Sequence, residues 1–288
     1  MPYRGFIVLD SNVLRNKLDI LLKELRSLDR RFRYGLEEHV IIAIPAMVID
    51  EVKENELQVL CKFLLKEEDS EAFLKTLNKY IKRIATEGFT VRVAPIPAIV
   101  SACRWGFAYL VGEKDELIMN EMLKMYVTKG AKYYSTLRSI LNYLRDKLEE
   151  GKEDEILKEI RNEIEPKKLD EWIDELEKNL KVGKIEWEDF TRLLKLCCNV
   201  ITRKRECQVY GHCKRLVGIL PDILIVTSAS RLAYVHEDMK VILVTEDKPL
   251  CEVVDKVAQK ISLKIEVSTV EDIAKVLLRE LMCSSETH

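Results

Sequence analysis

The chain has 288 residues, 47% hydrophobic and 33% charged, with a formal net charge of −2. This balance excludes an intrinsically disordered chain and one drawn to nucleic acid by overall charge, so any contact with phosphate must come from local basic patches. No apolar run of the roughly 18 residues needed for a membrane helix is expected, and Met1 to Gly5 leads into no signal-peptide pattern, so the expected setting is cytoplasmic with no membrane partner.

In chain order, Phe6-Ile7-Val8-Leu9-Asp10 is a short, unalternating apolar run that stops on a carboxylate. Such a run reads as a strand buried on both faces of a parallel sheet, and Asp10 then stands at a carboxyl end, where open α/β sheets bind ligands. An N-cap for the next helix is the competing role for Asp10. Val13, Leu14, Leu18, Leu21, Leu22 and Leu25 follow helical spacing, with Ser11 or Asn12 as the expected cap. The helix runs into Arg26 to Gly35, where Arg30, Arg31 and Arg33 alternate with Phe32 and Tyr34. These residues suit contact with phosphates and bases, or form an ordinary solvated helix end.

Val40 to Ile44 reads as the second strand, and Pro45 as the first turn of a helix carrying Asp50 and Glu51. Residues 56–87 suggest two helices, Phe89 to Val93 a third strand, and Pro97 to Leu110 a core helix. From Glu113 the composition shifts to Lys, Glu and Leu, and helices are expected over 113–128, 131–149, 152–164, 167–181 and 185–200. The acidic middle of this insertion would repel phosphate. It reads as a partner surface, a dimerisation arm or a structural cap.

Cys197, Cys198, Cys207, His212 and Cys213 then cluster, but without the Cys-x-x-Cys spacing of a zinc knuckle. A zinc site, a Cys207–Cys213 disulfide and free thiols all stay open. Abundant Lys and Glu with scarce Gln resembles hyperthermophile composition. Arg203, Lys204, Arg205, Lys214 and Arg215 form the densest basic cluster and the leading candidate for guiding an anionic strand. Asp222 opens an apolar helix, a strand over 240–244 delivers Thr245-Glu246-Asp247, and Leu263 to Val267 with the helix Val270 to Met282 closes the fold. If the strands are parallel neighbours, the carboxylates meet at one rim. Clustered carboxylates of like charge call for a hard divalent cation.

Asp10-Ser11-Asn12, Pro45 to Glu51, Pro221-Asp222 and Thr245-Glu246-Asp247, in this order, resemble the pattern of the PIN-domain ribonucleases. The resemblance covers about residues 1–112 and 216–288. It implies an α/β fold with a parallel five-stranded sheet flanked by helices, interrupted by an all-helical insertion over 113–215. It also implies a metal-dependent endoribonuclease acting in RNA processing, with RNA as partner. Asp10, Glu51, Asp222 and Asp247 would be the catalytic residues and the ligands of Mg2+ or Mn2+, supported by Ser11, Asn12 and Thr245. The alternative is a catalytically weak PIN-like scaffold whose helical insertion assembles with RNA, a protein partner or a second copy of the chain. No nucleotide-binding glycine motif is present.

Overall fold

A computed structural model describes residues 4–32, 36–45, 61, 70–94, 113–128, 133–150, 166–202 and 208–285. The chain divides into two compact units, Met1–Glu54, Asp69–Pro97 and Leu224–His288 in the first, and Asn55–Glu68 and Ala98–Ile223 in the second. The expected borders at 112/113 and 215/216 therefore give way to divisions at 97/98 and 223/224, with 55–68 joining the second unit.

The first unit is built on five strands, β1 Gly5–Leu9, β2 Val40–Pro45, β3 Thr90–Ala94, β4 Lys240–Val244 and β5 Ile265–Ser268. All pairs are parallel and the order is β3-β2-β1-β4-β5. β1 is central and every one of its residues is buried, which is why its sequence does not alternate. The chain leaves β1 toward β2 and β3, then returns to β4 on the other flank of β1. The strand order thus reverses between β1 and β4, the place where open parallel sheets form a crevice at their carboxyl ends.

After β1 the chain makes a π turn, Val13–Lys17, before α1, Leu18–Phe32. Such turns are uncommon and recur beside functional sites. On α1, Leu18, Leu21, Leu22, Leu25 and Leu28 are buried, whereas Lys23, Ser27, Arg30 and Arg31 on the other face are exposed. The short α2, Leu36–His39, precedes β2, and α3, Ser70–Thr86, precedes β3. Pro45 is the last residue of β2, paired with Ala94, and not part of a helical turn as expected. A strand end tolerates proline, because few ladder bonds are lost there. The helix expected to carry Glu51, and those over 97–110 and 152–164, lie outside the described residues, as does the first of the two expected over 56–87.

The second unit contains α4 Glu113–Val127, α5 Tyr134–Glu149, α6 Pro166–Lys181, α7 Trp187–Thr202 and α8 Tyr210–Val217. Leu169, Ile173, Leu176 and Leu180 repeat at helical intervals along α6 and are buried. Arg145 on α5 reaches Asp174 at 2.7 Å and Glu177 at 2.8 Å on α6. Cys61 and Cys198 form a disulfide across 137 residues. This overturns the local Cys207–Cys213 pairing, since Cys213 is a free buried thiol. No group of three or more His, Cys, Asp or Glu, as a zinc site would need, is gathered among the described residues.

Helix α9, Leu220–Val235, begins in the second unit and continues in the first. Together with α8 it makes Tyr210–Val235 long and apolar enough to cross a membrane, contrary to expectation, with 89% of the relevant window buried. The charges of Lys214, Arg215, Asp222 and Arg231 break this run in the sequence. Helix α10, Lys248–Ile261, and α11, Ile273–Ser285, follow β4 and β5.

The long loop closed by the disulfide gives a measurable expectation. Replacing both Cys61 and Cys198 with Ala should lower the unfolding free energy by about 2–5 kcal/mol in a denaturant titration without reductant. Equal midpoints for variant and parent would contradict the bond.

Candidate active site

Asp10 follows the last residue of β1 and Thr245 follows the last residue of β4. The register pairs Leu9 with Val244, so the two side chains leave the sheet next to each other. The ladder continues through them: Asp10 N–H donates to the Val244 carbonyl at 3.1 Å, and Thr245 N–H to the Ser268 carbonyl at 3.0 Å. Asp10 is 4% exposed and Thr245 fully buried, which is unusual for a carboxylate.

Each Asp10 oxygen has a donor. The Thr245 hydroxyl donates to Oδ2 at 2.6 Å, while the Ser11 N–H and hydroxyl donate to Oδ1 at 2.6 and 3.3 Å. Thr245 Oγ1 also accepts the Asp247 N–H at 3.0 Å. An amide N–H can only donate, so the single hydroxyl proton of Thr245 is left for Asp10. Thr245 thus ties the Asp10 carboxylate to the backbone of Asp247, and the direction of both bonds is fixed. Asp247 caps α10, its Oδ1 accepting the Leu250 N–H at 3.1 Å. Asn12 Oδ1 accepts the Glu246 N–H at 3.3 Å, so it ties the β4 turn to the start of the π turn. It does not cap the helix, as expected, because its side chain makes no cap bond; Ser11 turns to Asp10 instead.

Glu246 faces elsewhere. Its carboxylate holds Lys17 at 2.9 Å and the Val270 N–H at 3.0 Å. Burial pushes Glu246 up, but these two bonds outweigh it and leave the carboxyl below its ordinary value. The clamp was not foreseen. Its members are 229 and 24 residues apart, beyond any periodic signal.

Among the described residues the site is acidic and uncompensated. Burial raises the Asp10 carboxyl above its ordinary value, the bonds from Thr245 and Ser11 oppose this, and the Asp247 charge raises it further. No lysine or arginine among the described residues acts on it. Cys251, half-buried on α10, is likewise raised by burial and by Asp255, Asp247 and Asp10. A buried carboxylate beside a second one, both hard oxygen donors, fits the chemistry of Mg2+ or Mn2+. Among the described residues no group of three or more His, Cys, Asp or Glu is assembled for a metal.

Asp222 lies in the first turn of α9, where the Tyr126 hydroxyl donates to its Oδ2 at 2.8 Å within the second unit. Lys214 and Arg215 are exposed on α8, with Lys214 4.7 Å from the centre of the Tyr210 ring. Arg30 and Arg31 are exposed at the far end of α1. Glu51, Arg33, Arg203, Lys204 and Arg205 lie outside the described residues. No family model, curated protein or solved structure matches this chain.

The sign of the Asp10 shift yields a stability test. A raised carboxyl favours folding fully below its ordinary value of 3.8, and that contribution is lost as pH rises through the folded value. Without divalent ions, Asp10→Asn should therefore melt no lower than the parent at pH 7, with any advantage shrinking toward pH 4. A variant melting well below the parent at pH 7 would contradict the burial cost.

Proposed function

We propose that the chain is a metal-dependent endoribonuclease of the PIN-like class, hydrolysing RNA phosphodiesters in RNA processing. The observation that carries this reading is Asp10 beside Asp247, whose backbone Thr245 ties to the Asp10 carboxylate, set at the reversal of strand order with no cationic side chain among the described residues acting on Asp10. Asp10 and Asp247 would hold Mg2+ or Mn2+, with Glu51 and Asp222 completing the set by resemblance. When bound, such an ion supplies positive charge for the phosphodiester and acidifies water for attack.

The chain's own groups prepare the site. The Thr245 and Ser11 donors favour the ionised form of Asp10 against the cost of burial. The Asp247 N–H, taken up by Thr245, and the Leu250 N–H, taken up by Asp247, fix the turn on which the second carboxylate stands. Asn12 and the Lys17–Glu246 clamp anchor the same turn to the segment after β1.

A second reading is a catalytically weak scaffold whose helical unit binds RNA, a protein partner or another copy. It is favoured by the lack of a third gathered carboxylate among the described residues. The discriminating assay is cleavage of a synthetic RNA in Mn2+, with products checked for 5′-phosphate and 3′-hydroxyl ends. Wild type should cut, and Asp10→Asn and Asp247→Asn should each lose at least about 100-fold, the upper end of what losing an outer-shell partner costs. Cleavage retained by both variants, or none by wild type, would leave the scaffold.

A further inference from the structure

A second feature of the first unit is not absorbed by the carboxylate site. Two ion pairs join α1 to α3 and the turn after it: Arg26 Nε to Glu87 Oε2 at 2.9 Å, and Arg83 to Asp19. Beside them opens a cavity of about 740 Å³ whose basic lining is Lys23, Arg26, Arg30, Arg31 and Arg83. Among the described lining residues the acids Asp19 and Glu87 are engaged in those pairs with Arg83 and Arg26, so Lys23 and Arg30 add at least two positive charges beyond them. The chain as a whole carries −2, so this positive field is local.

The helix dipole accounts for Arg30 and Arg31 in the last turn of α1. It does not account for Lys23 and Arg26, which lie beyond its reach, or for Arg83 on another helix. Lys23, Arg26, Ser27 and Arg30 follow i, i+3, i+4 and i+7 spacing and share one face. From Lys23 to Arg30 the stripe runs about 10 Å. A duplex strand presents a phosphate about every 3.4 Å along its axis, so the stripe passes about three of them. Guanidinium forks match phosphate oxygens in pairs. Among the described lining residues the one large apolar side chain, Leu22, is buried, so none of them is placed to insert among lipid chains.

We propose that the groove between α1 and α3 binds the phosphate backbone of a nucleic acid. It is a site apart from the carboxylates: Lys23 and Arg30 lie 12 and 19 residues beyond Ser11, about 18 and 28 Å along the helix. A strand using both must span at least about 18 Å.

Binding is read in EDTA, without cleavage, so the outcome does not depend on the hydrolase reading. The probe is a fluorescent single-stranded RNA of about 20 nucleotides, longer than one typical single-strand site. Its anisotropy is titrated over a series of salt concentrations. Lys23→Glu/Arg30→Glu should weaken binding at least tenfold and flatten the log affinity against log salt slope by about 1.4, two contacts at about 0.7 each. Lys256→Glu/Lys264→Glu, an equal charge change at exposed positions elsewhere, should leave both values as in wild type. Lys23→Gln/Arg30→Gln should give the same flattening, which guards against misfolding of the reversed-charge variant. The proposal is overturned by unchanged binding in both groove variants, by an equal loss in the control, or by a wild-type chain that binds phosphatidylserine vesicles but not RNA.

Discussion

A carboxylate buried to 4% exposure with no cation among the described residues acting on it is costly, and the geometry around β1 and β4 makes sense in relation to that cost. Three hydrogen bonds from Ser11 and Thr245 offset part of the desolvation. Asp247 adds to the burden instead of relieving it. A fold that needed only a strand end here could use a neutral residue. A second carboxylate, on a residue whose backbone the same hydroxyl holds, is the arrangement expected where a positive ligand is to be received.

The pairing of β1 with β4 is what brings this about. Asp10 and Thr245 are 235 residues apart in sequence, yet the parallel register places them as successors of a paired Leu9 and Val244. The strand order returns the chain from the β3 edge to the centre, and the crevice forms where it does so. Glu246, between the two site residues, points to Lys17 and Val270 and serves to hold the turn. The alternation of Thr245, Glu246 and Asp247 thus separates the site from its anchor within three residues.

The strands were legible because each is a short apolar run that does not alternate, as burial on both faces requires, and the structure begins and ends them within two residues of expectation. Asp10 and Thr245-Glu246-Asp247 were legible as polar residues closing such runs. What was not legible depends on distant partners. Asn12 looks like a helix cap locally, but its acceptor is spent on a backbone N–H 234 residues away. Cys198 sits among nearby thiols in the sequence, yet its partner is Cys61. Pro45 carries the signal of a first helical turn equally well as that of a strand end. The basic stripe on α1 was visible only in part, since Arg83 comes from another helix and Lys23 precedes the arginine-rich run.

The account rests on the Asp10 and Asp247 pair being a receptor for a hard divalent cation. The most direct measurement is a Mn2+ titration followed by electron paramagnetic resonance, in which bound ion is counted without any RNA present. Wild type should take up Mn2+ stoichiometrically and Mg2+ should compete, while Asp10→Asn loses that uptake. Equal uptake by the parent and by Asp10→Asn, or none by either, would contradict it.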